Sequence, residues 1–479
     1  MLLNGDGKSN IKELDSLENV HDEKNRYDIM VCNPPFGVRI VEKRSSVLKK
    51  FALGHEWERN ESNGVLTKKE KLLESQETGI LFTEVCVIQA KDEGGRIGII
   101  LPNGYLANRS HKYQVLRNWL LRHTKIVAIC AFPRFVFKTS GADVSASVLY
   151  LEKRKTPLNN VNNDKDYSFT VQMIENVGWN LGDKKAAPRY MQNPDDGSYL
   201  VNQDGHRILD ADFATVLDDI RHSIAAHETP WLTTGLNITS ETPGWSIAIS
   251  EVLSDPDLTI DPKRYTKKFK NLQNIIRSKK HHKLGDLVDF ISEKKTSSGN
   301  VVKISKKWIY NYIEIAEIGH GDYKTTSYRG WELPDRAKHF AEPGDIYIGS
   351  IWSSVSKWCV IAKDAEDTIV TSGCHRLRMK NDMKHLLVDV VAFMCSEGYT
   401  VQMRAYARGS DGLAEVPEID VKKLLIPELT EKEREDLLPF VESLLAGAPD
   451  LHGKVNKLVS GKNSSMPFIP KRSSHVILV

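Results

Sequence analysis

Tyr27-Asp28-Ile29-Met30-Val31-Cys32-Asn33-Pro34-Pro35-Phe36 is the stretch on which the reading of this chain turns. Ile29–Cys32 is a short apolar run suited to a buried strand, and it enters directly a loop whose second and third residues are proline. Proline fixes φ near about −65° and has no backbone N–H, so such a loop is stiff and leaves carbonyls unpaired. The amide of Asn33 and the ring of Phe36 then stand at the carboxyl end of a strand, where open α/β sheets hold their ligands. Asn33 Oδ1 and the Pro34 carbonyl can accept hydrogens from an exocyclic amine, and Phe36 can stack on the ring that carries it. Taken alone, the tetrapeptide fits a plain proline turn behind a buried strand better. Its neighbours decide the matter.

Working outward, Ile80–Lys91 has helical spacing at Leu81, Val85 and Ile88, and Arg96–Leu101 reads as a second buried strand. Tyr113–His123 reads as a helix, and Ile126–Phe132 and Val144–Lys153 as further strands. Strands and helices alternating through short connections predict an α/β fold, a parallel or mixed sheet with helices on both faces. Arg39–Thr78 is charged and carries little periodicity, so it is expected as a loop excursion following the diproline corner. Residues 156–245, with a polar stretch at Asn159–Asp166 and a helix over Ala211–Ile224, are expected to bridge two domains.

The composition changes near residue 246. Between Asp261 and Asp286 no acidic residue occurs, while Lys263, Arg264, Lys267, Lys268, Lys270, Arg277, Lys279, Lys280 and Lys283 do. A charge run of this kind is ordinarily a solvated helix face, and unopposed cations are also what phosphates attract. Lys294, Lys295, Lys303, Lys306 and Lys307 with Trp308, Tyr310 and Tyr312 form a second basic and aromatic stretch. Strands are expected at Val301–Ile304, Tyr310–Ile315, Asp345–Ile348, Lys357–Ala362, Thr368–Thr371 and Leu424–Ile426, with a helix at Leu386–Met394. Thr430-Glu431-Lys432-Glu433 is a capping box that opens a last helix, closed by Gly447 and Pro449.

The bulk values exclude several classes. With 479 residues, 40% hydrophobic and 27% charged, the chain is an ordinary globular sequence long enough for two or three domains. No run approaches the roughly 18 apolar residues of a membrane span. The first residues lack the basic and apolar regions of a signal peptide. Cys32, Cys86, Cys130, Cys359, Cys374 and Cys395 are widely spaced with no C-x-x-C pair, which points to a reducing cytoplasm instead of a zinc site or disulfide framework. His281, His282 and His320 have no carboxylate or cysteine at ligand spacing, so no metal is expected. The net charge of +3 by itself says little about nucleic acid.

About the first 150 residues resemble the methylation subunit of type I restriction-modification systems, an adenine-N6 DNA methyltransferase. Besides Asn33-Pro34-Pro35-Phe36, the likeness is carried by Met1–Asp6, Asn10-Ile11 and Asp15-Ser16-Leu17, and by Gly94–Gly104. Phe132-Pro133 with Phe137 and Gly141–Val144 resemble that family's edge hairpin. The resemblance implies a Rossmann-like methyltransferase sheet, S-adenosylmethionine as cofactor, and double-stranded DNA as substrate. It implies that Asn33 and Pro34 hold the amine of an extruded adenine, with Pro35 stiffening the loop and Phe36 stacking on the base. Asp15 matches the acidic position that reaches the cofactor's adenine. The family's Gly-rich turn between a first strand and helix has no counterpart here, because Gly94 and Gly95 precede a strand. The sheet is therefore expected to be incomplete in its N-terminal half. The chain then reads as amino-terminally truncated or as half of a split enzyme, needing a complementary subunit.

The second half resembles a target-recognition domain of type I specificity subunits: a mixed α+β, strand-rich domain. His282–Val288, Gly344-Asp345-Ile346, Gly373–Arg378 and Leu424–Pro427 carry that likeness. It implies DNA contacts from among Lys279, Lys280, Lys294, Lys295, Arg376 and Arg378, and partners that include a specificity or restriction subunit. The expected organisation is a catalytic part over 1–155, a bridge over 156–245, a recognition domain over 246–450 and a basic tail over 451–479. Two rivals stand beside it. One is a DNA-binding chain that has lost catalysis, and the other a protein-glutamine methyltransferase with a similar Asn-Pro-Pro loop.

Overall fold

The computed structural model describes residues 13–35, 40–62, 64–92, 94–138, 144–164, 167–182, 185–225, 245–291, 303–409 and 414–447. Phe36, Lys294, Lys295, the segment 141–143 and the tail 451–479 lie outside the described residues. The chain divides into two units at Tyr265/Thr266. The stretch expected as a bridge, 156–245, thus falls within the first unit, and its Ser168–Met173 run adds a strand to that unit's sheet.

In the first unit, the strands are β1 (Ile29–Cys32), β2 (Val41–Glu42), β3 (His55–Arg59), β4 (Leu66–Leu72), β5 (Gln76–Glu77), β6 (Arg96–Pro102), β7 (Thr124–Ala131), β8 (Ala146–Lys153), β9 (Ser168–Met173) and β10 (Ile247–Ala248). The helices are α1 (Ser45–Leu48), α2 (Thr78–Gln89), α3 (Asn103–Ala107), α4 (His111–His123), α5 (Phe213–Ala225) and α6 (Ile249–Leu253). Six strands form one mixed sheet in the order β1-β6-β8-β7-β9-β10. The strands β1, β6, β7 and β9 run parallel to one another, so their carboxyl ends share a rim. The hairpin of β7 and β8 forms as expected, but β8 is inserted between β6 and β7 and is not an edge.

One face of this sheet is closed. Ile97, Ile99, Leu101, Ile129, Leu149 and Leu151 pack there with Ile80 and Val87 of α2, Leu106 of α3, and Leu116 and Leu120 of α4. The other face is covered only in part. Val216 and Ile220 of α5 sit over Ala128 and Cys130 of β7 with Ile174 and Val177. Toward β1 it is bare: Ile29 is 56% exposed, Val31 82% and Tyr150 40%. The described part of the excursion, 40–62 and 64–78, carries regular structure, contrary to expectation. It holds α1, the hairpin of β3 with β4, and the pairing of β2 with β5.

In the second unit, α7 (Lys267–Arg277), β11 (His281–Lys283), α8 (Leu284–Leu287) and β12 (Val288–Phe290) come first. Then follow β13 (Ile309–Ile313), β14 (His320–Gly321), β15 (Thr326–Arg329), β16 (Ala337–Phe340), β17 (Ile346–Gly349), β18 (Trp358–Val360), β19 (Thr368–Thr371) and β20 (Cys374–Met379). It closes with α9 (Leu387–Met394), α10 (Glu397–Tyr406), α11 (Glu418–Val421), β21 (Leu425–Pro427) and α12 (Glu431–Leu445). Its sheets are β12-β20-β17-β18-β14, β15-β13-β19-β16 and the pair β11-β21. The two larger sheets meet where Tyr347, Cys359 and Cys374 pack with Ile313 and Val370. The capping box forms: Glu433 N–H donates to Thr430 Oγ1 at 3.3 Å and Thr430 N–H to Glu433 Oε2 at 2.9 Å. Among the described residues no single helix is long and apolar enough to cross a membrane.

Candidate active site

The corner Asn33-Pro34-Pro35 leaves β1 at the rim shared by the parallel strands. Asn33 is exposed and Pro34 buried, so one proline anchors the turn while the amide stays accessible. The loop's far end is fixed too. Thr78 N–H donates to the Ile40 carbonyl at 3.1 Å, and Val41 and Glu42 pair with Glu77 and Gln76. Pro35 thus follows β1, and Ile40–Glu42 are held at the N-terminus of α2.

Next to it on the rim, Asn103 follows β6 as the first residue of α3 and is buried. Ser147 Oγ donates to Asn103 Oδ1 at 2.7 Å, and Asn103 N–H donates to the Ser145 carbonyl at 2.9 Å. The Glu77 carboxylate, also buried, accepts the Tyr113 hydroxyl at 2.9 Å and pairs with Lys112. Burial, with the Glu77 carboxylate beside them, pushes the Tyr105 and Tyr113 phenols up, so both stay protonated donors. This set of buried polar side chains, Glu77 with Tyr113 and the adjacent Tyr105 and, separately, Asn103 with Ser147, was not foreseen from sequence. Its signal was the pair of polar residues, Glu77 and Asn103, at the ends of apolar elements.

At the carboxyl end of β7, Phe135 has φ of +71°, uncommon for a bulky side chain. The Arg134 guanidinium lies 4.5 Å from its ring centroid and the Lys138 ammonium 4.7 Å. Phe132 makes edge contacts with Phe137 and Phe213. The aromatic residues singled out after β7 thus stand on the same rim as Asn33.

The other nominated residues are placed differently. Asp15 Oδ1 accepts the N–H groups of Leu17 and Glu18, and Oδ2 accepts Arg44 Nη2 at 2.7 Å. The Arg44 hydrogen bond holds its carboxyl below the usual range. Gly94 and Gly95 precede β6, Gly104 lies in the first turn of α3 directly after that strand, and the Asp15 carboxylate is engaged by Arg44.

In the second unit, Lys279 and Lys280 are exposed, and Lys280 pairs with Glu428 at 2.8 Å. Arg376 is buried, with Nε 2.7 Å and Nη2 2.6 Å from the Asp345 carboxylate. Arg378 Nε reaches the other Asp345 oxygen at 2.7 Å, and its Nη2 reaches Glu342 at 3.0 Å. Lys263 and Arg264, in the basic run, are likewise buried beside Asp261 and Asp255.

Residues 1–178 match a family model described as N-6 DNA Methylase. No curated protein matches the chain. Among solved structures, a type I restriction-modification methyltransferase subunit from Streptococcus thermophilus is 16% identical, covering 56% of this chain and 45% of its own, with a TM-score of 0.32. The HsdS subunit from Thermoanaerobacter tengcongensis is 17% identical over 38% of this chain and 44% of its own, at 0.27. The type IIG restriction endonuclease BpuSI is 12% identical over 90% of this chain and 50% of its own, at 0.36. The chain thus spans half or less of the length of each. At such scores these are partial likenesses that say nothing of activity.

Proposed function

We propose that this protein is a site-specific DNA methyltransferase of a restriction-modification system, cytoplasmic, acting on N6 of adenine with S-adenosylmethionine as donor. The observation that carries the reading is the accessible Asn33 beside an anchored Pro34 at the sheet's carboxyl rim, within the residues that match the N-6 DNA Methylase model. Asn33 Oδ1 and the Pro34 carbonyl accept the two amine hydrogens of an extruded adenine. Accepting both draws the nitrogen lone pair out of the ring, so no strong general base is required. Phe36 stacks on the base and offsets part of the few kcal/mol of unstacking. The second unit acts as the target-recognition domain.

A second reading is favoured by the edge of β1, which among the described strands pairs with β6 alone: the chain reads DNA, and another polypeptide segment supplies the cofactor-binding half. Arg96 N–H donates to the Asp28 carbonyl at 2.9 Å, so by strand alternation the N–H and C=O of Ile29 and Val31 point away from β6. An unpaired edge with exposed apolar residues is a surface that native proteins cover.

Mapping of N6-methyladenine in the genome of the strain that carries the gene tests both. Disruption of the gene should remove methylation at one sequence motif. Re-expression of the wild type should restore it, and Asn33→Ala should not. The purified chain then separates the readings, because methyl transfer by it alone would exclude the second. If Asn33→Ala restores methylation fully, the corner is only a turn and the first reading is wrong.

A further inference from the structure

We propose that a corner of the second unit, formed by Ser305–Trp308 and Arg329–Trp331, binds the sugar–phosphate backbone of duplex DNA. Two indoles stand out on it: Trp308 is 56% exposed and Trp331 64%, with Ile309 beside them at 58%. Large apolar groups this open, grouped together, mark a contact surface.

The corner is built, not frayed. Gly330 N–H donates to the Trp308 carbonyl at 2.8 Å, Trp331 N–H to the Lys306 carbonyl at 3.3 Å, and Ser305 N–H to the Tyr310 hydroxyl at 2.9 Å. A Cβ on Gly330 would stand 2.0 Å from the Ser305 carbonyl oxygen, so only glycine permits the two turns to close on each other. Ile309 and Arg329 are directly opposed across β13 and β15 on the outer face. Tyr310, Tyr312 and Tyr328 pack on the inner face with Ile369 and Phe340. Trp308 Nε1–H donates to Asp367 Oδ2 at 2.8 Å, which fixes that indole's orientation.

Charge decides the occupant. Residues 303–309 and 324–331 contain Lys303, Lys306, Lys307, Lys324 and Arg329 and no Asp or Glu, and all five are exposed. Two carboxylates at the corner are engaged within it: Glu332 accepts the Arg329 backbone N–H at 2.9 Å, and Asp367 accepts the Trp308 indole N–H. Protein interfaces deplete lysine at their apolar centre, whereas phosphate contacts require it. Both indoles offer a flat apolar body to deoxyribose; the Trp308 N–H is already taken by Asp367, which leaves only that of Trp331 for a phosphate oxygen. Rigid turns carrying five cations and two indoles suit a duplex backbone.

The inference rests on the reading of the second unit as a DNA reader, and the test separates their failures. Binding of the full chain to a fluorescent duplex is followed by anisotropy across a salt series, for wild type and for Lys306→Ala/Lys307→Ala/Arg329→Ala. Each phosphate contact contributes roughly 0.9 to the slope of log K against log salt, so the triple variant should flatten it by about 2 to 3. A matched variant, Lys363→Ala/Lys384→Ala/Lys432→Ala, removes equal charge from elsewhere on this unit and should leave the slope nearly unchanged. Trp331→Ala, which removes no charge, should weaken binding about tenfold at constant slope. Unaltered thermal melts confirm that each variant folds. Wild-type binding with an unchanged slope in the triple variant overturns the corner alone. Loss of binding to duplex RNA and not DNA also overturns it. A wild type that binds no duplex overturns both the corner and the DNA-reader reading.

Discussion

Glu84 Oε2 accepts the backbone N–H of Leu53 at 2.8 Å, and its other oxygen accepts that of Ala52 at 2.7 Å. A fully buried carboxylate on α2 thus holds the segment that returns from the diproline loop. Burial pushes its pKa up to about 7, against the pull of the two N–H groups. A carboxyl raised on folding favours the native state while protonated, so its contribution is complete below its unfolded value and is lost as pH rises through about 7. The full effect is of order 3 kcal/mol. Glu84→Gln keeps an acceptor without ionisation, and its melting temperature should fall less than the wild type's between about pH 5 and pH 8. Parallel melting curves in that window check this, and equal slopes would exclude it.

Asp345 carries both arginines that sequence nominated for DNA. Asp345→Asn leaves the buried Arg376 and the partly buried Arg378 with half their counter-charge, and breaking a buried pair typically costs roughly 3–5 kcal/mol. Chemical denaturation should show that loss directly. Arg376→Ala should likewise destabilise the fold, and any fall in DNA affinity should follow the folded fraction. A stable Arg376→Ala protein with weakened DNA binding would return Arg376 to the interface.

Why some features were legible follows from their physics. Ile29–Cys32, Arg96–Pro102 and Thr368–Thr371 are compact apolar runs, and these form strands wherever they are paired. Their order is another matter. Nothing in the run Ala146–Lys153 says that it enters between β6 and β7, because insertion depends on contacts distant in sequence. The hairpin of β3 and β4 looked like loop because its strands, such as Thr67–Lys71, expose both faces and so carry no alternation. Arg376 and Arg378 alternate with Leu377 and Met379 as surface residues would, and the partner that draws Arg376 inward is Asp345, far upstream. The diproline corner was legible because its stiffness is local.

Thr430 and Glu433 satisfy each other's backbone at the start of α12, whose Leu437, Val441 and Leu444 are buried. Thr430→Ala should cost about 1 kcal/mol, and Thr430→Ser should cost little because the hydroxyl is kept. Urea unfolding of the two variants checks the difference. Equal losses would assign the cost to the methyl group instead of the cap.

Val31, two residues before Asn33, distinguishes a covered edge from a bare one. It is 82% exposed on a strand otherwise made of Ile29, Met30 and Cys32, and the opposite face of that strand packs against α2. Exposed substitutions rarely change stability by more than about 0.5 kcal/mol, so Val31→Lys should leave the purified chain's melt unchanged. A second segment pairing along β1 would instead meet an ammonium where it needs an apolar side chain. Such a segment is what the split-enzyme reading requires. In the native strain Val31→Lys should then abolish N6-methyladenine at the cognate motif, although Asn33 and its loop are intact. Methylation at the wild-type level would mean that nothing docks on β1, and the donor-binding half would have to be sought elsewhere.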